Sequence, residues 1–135
     1  MSQLGTGVMI NLLRGNRESA ETFIRAIGKR IASLLLKDNV LRFEFDDGSK
    51  MSMRDDGQSC CESRYMTTDD DLMYYVGSAL IGGEIKDGPS KEGEYGEMHE
   101  IQFLVITTSK GAFTMETHNE HNGYYGGFSV VVESE

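Results

Sequence analysis

Apolar positions recur every three or four residues from residue 16 to residue 37. Ala20, Phe23, Ile24, Ile27, Ile31, Leu34 and Leu35 form one stripe, which predicts a long amphipathic helix. Asn16 suits its N-cap, with Glu18 and Glu21 near the positive end of the dipole and Lys37 near the negative end. Gly28 weakens the middle of this stretch. After Asp38-Asn39 the period becomes two. Leu41, Phe43 and Phe45 alternate with Arg42, Glu44 and Asp46, and Asp47-Gly48 leads to a return strand carrying Met51 and Met53.

Thr67-Thr68-Asp69-Asp70-Asp71 predicts the start of a short helix, with Leu72, Met73, Tyr75 and Val76 inward and Gly77 as its stop. Helix starts prefer these residue types, so capping explains the three aspartates better than a metal does. Residues 79–86 read as a strand interrupted by Gly82-Gly83, and residues 87–96 as a polar loop. Residues 99–108 are apolar on both faces, as in a central strand. Ser109-Lys110-Gly111 turns the chain into a strand with Phe113 and Met115, and residues 128–132 form the last strand. The expected fold is α+β: an antiparallel sheet of about six strands, one long N-terminal helix and one short helix. Residues 1–135 form one expected domain, in which the helical segment 1–38 packs on or extends the sheet of residues 39–135. The stripe could equally pack on a second copy in a homo-oligomer.

Charge is distributed unevenly. Residues 1–37 carry a balance of +4, while the remainder carries −13, for a net −9. An acidic body repels nucleic acid and attracts a basic protein surface, although acidic surfaces also serve solubility alone. No apolar run approaches the roughly 18 residues of a membrane-spanning helix. No secretory leader is evident, and the two cysteines are adjacent, so the expected location is a reducing cytoplasm.

The densest chemistry lies between the last two predicted strands. Residues 117–128 hold His118, Asn119, His121, Asn122, Tyr124 and Tyr125 together with Gly123, Gly126 and Gly127. A hairpin needs far less, so this segment is the expected recognition loop, with both histidines facing one pocket. Arg64 and Tyr65 are candidates for the same site, where Arg64 could clamp a phosphate or carboxylate. The candidate binding set is therefore Arg64, Tyr65, His118, Asn119, His121, Asn122, Tyr124 and Tyr125. Cys60 and Cys61 beside His118 and His121 allow a zinc set on paper, but vicinal cysteines fit the usual ligand spacing poorly. The same residues with Glu62 or Asn119 have the composition of a thiol triad without a local signature. No catalytic residue, metal or cofactor is assigned on this basis.

The segments DDGQSCCESRYMTTDDDL and HEIQFLVITTSKGAFTMETHNEHNGYYGGF resemble a family of small bacteriophage and prophage proteins described as a domain of unknown function. The resemblance covers roughly residues 40–132. It implies a phage-encoded protein acting in the host bacterial cytoplasm, and it carries no activity to transfer. By analogy of setting, the expectation is a non-enzymatic inhibitor of a bacterial antiviral defence. An anti-CRISPR-like mechanism would block a basic protein surface with Asp69, Asp70, Asp71 or the acidic loop of residues 92–97. The other mechanism would sequester a cyclic nucleotide with Arg64, the tyrosines and the glycine loop. The alternative class is a metal-binding or thiol-dependent enzyme using Cys60 or Cys61 with His118 and His121. No direct nucleic-acid or membrane partner is expected.

Overall fold

The computed structural model describes residues 17–57, 62–93, 96–121, 128 and 130–135. Helix α1 spans Arg17–Ala26, much shorter than the stripe implies. Glu18 sits in its first turn and Arg25 in its last, both favourable to the dipole, and Arg17 pairs with Glu21 at 3.3 Å. It buries Ala20, Phe23 and Ala26 on one face. Gly28 ends it by taking φ +93°, a conformation that costs glycine little, and donates its amide to the Leu80 carbonyl at 2.7 Å.

Ile31–Lys37 is then strand β1 rather than the second half of a helix. A register shift between Ile31 and Ser33 explains the misleading pattern. The bulge adds one residue, so Ile31 and Leu34 are both buried although three positions apart. That spacing imitates a helical stripe. Asp38 and Asn39 take φ of 54° and 63° and form a tight turn of the kind that suits hairpins.

The described strands that follow are β2 (Val40–Phe45), β3 (Lys50–Asp55), β4 (Glu62–Thr67), β5 (Leu80–Glu92), β6 (Met98–Thr108), β7 (Gly111–His121) and β8 (Val130–Ser134). They form two antiparallel sheets instead of the single sheet of about six strands expected. One has the order β1-β2-β3-β8, the other β4-β7-β6-β5. The protein is mostly β. Leu41, Phe43, Met51 and Met53 from the first sheet and Leu104, Ile106, Phe113 and Met115 from the second enter one shared core. Helix α1 closes the β8 side, where the Val132 amide donates to Ser19 Oγ at 2.8 Å.

Leu72–Tyr75 forms one 3-10 turn, capped by Asp71, whose carboxylate accepts from the Met73 amide. Its short length leaves Met73 outward, 71% exposed, contrary to the inward face expected. Asp70 accepts from the Thr114 amide at 2.7 Å, so this acid braces β7. Strand β5 continues to Glu92 through the expected loop of residues 87–96, with register shifts near Gly82 and between Asp87 and Ser90. Pro89 lies in the second shift, where the ladder does not need its missing N–H.

Candidate functional site

His118 and His121 belong to β7 and not to a loop. Across β4, Tyr65 registers with His118, Arg64 with Asn119 and Glu62 with His121. Across β6, His118 registers with Ile101, Asn119 with Glu100 and Glu120 with His99. Side chains alternate along a strand, so Tyr65, His118, Glu120 and His99 share the outer face. Arg64, Asn119, His121 and Glu62 share the inner face with Phe113 and Met115. The expectation that His118 and His121 face one pocket is therefore corrected: three strand positions put them on opposite sides.

The outer cluster is tightly ordered. The Tyr65 ring stacks on His118 with centroids 4.4 Å apart and planes 8° apart. His99 Nε2 lies 2.9 Å from His118 Nδ1, and His118 Nε2 lies 2.9 Å from Thr67 Oγ1. Thr67 donates onward to Glu116 at 3.3 Å. With the Thr67 hydroxyl given to Glu116, the assignment that follows has His118 Nε2–H donating to Thr67 and His118 Nδ1 accepting from His99. Tyr65 donates to Glu120, and that bond, helped by burial, pushes its phenol up to about 12. Burial, and next the neighbouring His99, hold the His118 pKa below the ordinary histidine range.

The His118 shift makes a pH-dependent stability. Unfolded chain protonates this histidine first as pH falls through about 6.5, and the folded state resists. Stability should thus decline on going from about pH 7 to about pH 5, and His118→Gln should flatten that part of the curve. Denaturant midpoints for both proteins across this range check it. Equal slopes would mean that His118 does not report on folding.

The inner face changes character along its length. Beyond Met115 the apolar surface gives way to Thr117, Asn119 and His121, all buried. Arg64 lies there between two carboxylates, donating to Asp55 at 2.8 and 3.0 Å and to Glu62 at 2.8 Å. The side chains of Arg64, Asp55 and Glu62 are only 9%, 6% and 1% exposed. Burial opposes the Arg64 charge, but the bonds to Glu62 and Asp55 outweigh it and raise its pKa. Asn119 also donates to Glu62, and His121 Nε2 lies 2.8 Å from Glu100. Asp55 belongs to β3 and Arg64 to β4, so this network joins the two sheets. The guanidinium lies so close to Gly57 that a Cβ there would meet it at 2.7 Å.

An open cleft of about 460 Å³ wraps the end of β5, β6 and β7. Lys91, Glu92, Glu97, His99, Glu120 and His121 line it, so both faces of the sheet end contribute. Three of these six are carboxylates. Cys60, Cys61, Asn122, Tyr124 and Tyr125 lie outside the described residues. Among the described residues, no group of three His, Cys, Asp or Glu side chains is placed to hold a metal.

Sequence reasoning missed His99, Thr67 and Glu120. A signal was available for two of them. Thr108 pairs with Gly111 across the Ser109-Lys110 turn, and counting back along both strands sets His99 opposite Glu120 and diagonal to His118.

The fold and site define a mostly-β protein of two antiparallel sheets, with a histidine–tyrosine cluster and a buried ion network on opposite faces of one strand pair. The chain belongs to the family described as a domain of unknown function (DUF7448), which matches residues 25–131. No curated protein and no solved structure matches it. Among the described residues, no helix is long and apolar enough to cross a membrane.

Proposed function

We propose that the chain is a non-enzymatic binding protein that covers a cationic protein surface with the cleft end of β5, β6 and β7. The observation that carries this is the charge of the cleft: Glu92, Glu97 and Glu120 face one opening, against Lys91 alone among the described lysines and arginines there. Such a surface attracts a basic partner and steers its approach. The resemblance to phage and prophage proteins supports a partner from a bacterial antiviral system, met in the host cytoplasm. A nucleic-acid-binding groove on such an effector has the required positive surface.

Sequestration of a cyclic nucleotide is the weaker mechanism. Arg64, the cation best suited to a phosphate, spends its donors on Asp55 and Glu62 inside the protein. The cleft carboxylates also oppose an anionic ligand.

The test is binding to a panel of purified antiviral effectors at low and high salt, with cyclic nucleotides as a second arm. One effector should bind, its affinity should fall with salt, and Glu92→Lys with Glu97→Lys should weaken it about tenfold or more. Calorimetry with the nucleotides should be silent. Binding of a nucleotide, or of no effector at low salt, would overturn the reading.

A further inference from the structure

We propose that His99 and His118 form a proton-operated latch on the outer face of the second sheet. At neutral pH one shared hydrogen bond closes it. In mild acid both rings carry charge, the bond is lost, and His99 turns to the Glu120 carboxylate. The latch needs no partner, so it stands or falls apart from the binding reading above.

The count of donors and lone pairs is the first argument. His99 Nε2 lies 2.9 Å from His118 Nδ1. A bond between two imidazole nitrogens needs one N–H and one lone pair. His118 Nε2 faces Thr67 Oγ1 at 2.9 Å, and the Thr67 hydroxyl is given to Glu116. His118 therefore spends its proton on Thr67 and its lone pair on His99. The lone pair left over is His99 Nδ1, so the pair takes a first proton there without losing a bond. A second proton must enter at His118 Nδ1, where it meets the His99 N–H head on. The bond then becomes a contact between two donors on two cations.

The surroundings decide which ring moves. His118 is buried, and Tyr65 stacks flat on it. His99 is half-buried and lines the open cleft, so it is the ring with room to turn. Its cross-strand neighbours are Lys91 on β5 and Glu120 on β7. An imidazolium there is repelled by the lysine and drawn to the carboxylate, which it then shares with the Tyr65 hydroxyl.

The described charged groups facing the pair are thus Lys91, Glu116 and Glu120, with the Tyr65 phenol neutral because its pKa is pushed up to about 12. Glu116 and Glu120 favour a charged His118, but burial and His99 oppose it more strongly. The second proton therefore enters only after the pH has fallen below the ordinary histidine value of about 6.5. The latch stays closed through neutrality and opens on the acid side.

Histidine-ring nuclear magnetic resonance of the full chain, from about pH 8 to about pH 5, tests this. At neutral pH the nitrogen shifts should show the Nε2–H form of both rings. On acidification the His99 and His118 curves should each bend twice, with steps at least about one pH unit apart, as for strongly coupled sites. The Overhauser contact between the two rings should vanish with the second step, while that between His118 and Tyr65 persists. His99→Gln keeps a donor and removes a charge, so His118 should then titrate once, moved up toward the ordinary histidine range. His118→Gln should leave His99 a single step. His121, on the inner face beside Glu100, is the internal control and should ignore both substitutions. Circular dichroism confirms that each protein is folded at each pH. Independent single steps in the wild type, a His118 curve that His99→Gln leaves in place, or a ring contact that survives the second step would overturn the proposal.

Discussion

Replacing Arg64 by alanine should cost about 3–5 kcal/mol of folding stability, the usual cost of leaving buried charge unpaired. Asp55 and Glu62 are 6% and 1% exposed, and Arg64 is the cation between them. Alanine would leave two carboxylates without their counter-charge inside the protein, with the Asn119 amide still donating to Glu62 and the Gly57 amide to Asp55. Arg64→Lys should recover only part of the loss, since one ammonium cannot serve both carboxylates with the guanidinium's planar fork. Lower pH should relieve the alanine variant, because protonation removes the unpaired charge. Urea denaturation of the three proteins measures all of this. A loss below about 1 kcal/mol would show that water reaches the acids and that the network is a surface feature.

Phe23→Ala should cost a similar amount, about 3–5 kcal/mol, as for other phenylalanines removed from a core. Helix α1 has ten residues, too few to be stable alone in water. It holds through Phe23, which is fully buried, through Ala20 and Ala26, and through the Ser19 bond to Val132. Loss of the ring should loosen α1 and β8 first. Hydrogen exchange at the Val132 amide should accelerate more than at Leu104, deep in the other sheet. Equal acceleration would mean that α1 and the second sheet unfold as one unit.

Local features of the fold were legible in the sequence, and its long-range pairing was not. The β2–β3 hairpin follows from period-two alternation and Asp47-Gly48, where Gly48 takes φ +86°. The β6–β7 hairpin follows from the same logic. β1 escaped because a bulge spaced its buried residues like a helix. Division into two sheets escaped because alternation marks a face and not a partner. Nothing in β3 says that it pairs with β8, nearly eighty residues later. At the site, Tyr65 and His118, both in the expected binding set, stack on each other. Residues 117–121 look like a loop because they are polar on both faces. The inner face is polar there because it meets an ion network instead of an apolar core.

That two-sided strand has a consequence for the uniqueness of the fold. A purely apolar interior tolerates a shifted strand if the volumes still fit. Here a slip of one residue between β4 and β7 would turn Arg64 outward and bring Tyr65 into the charged interior, abandoning Asp55. The buried ions therefore act as a key that admits one alignment. The same alignment sets Tyr65 against the His118 ring on the far side, so the precision of that surface stack is inherited from electrostatics it never touches.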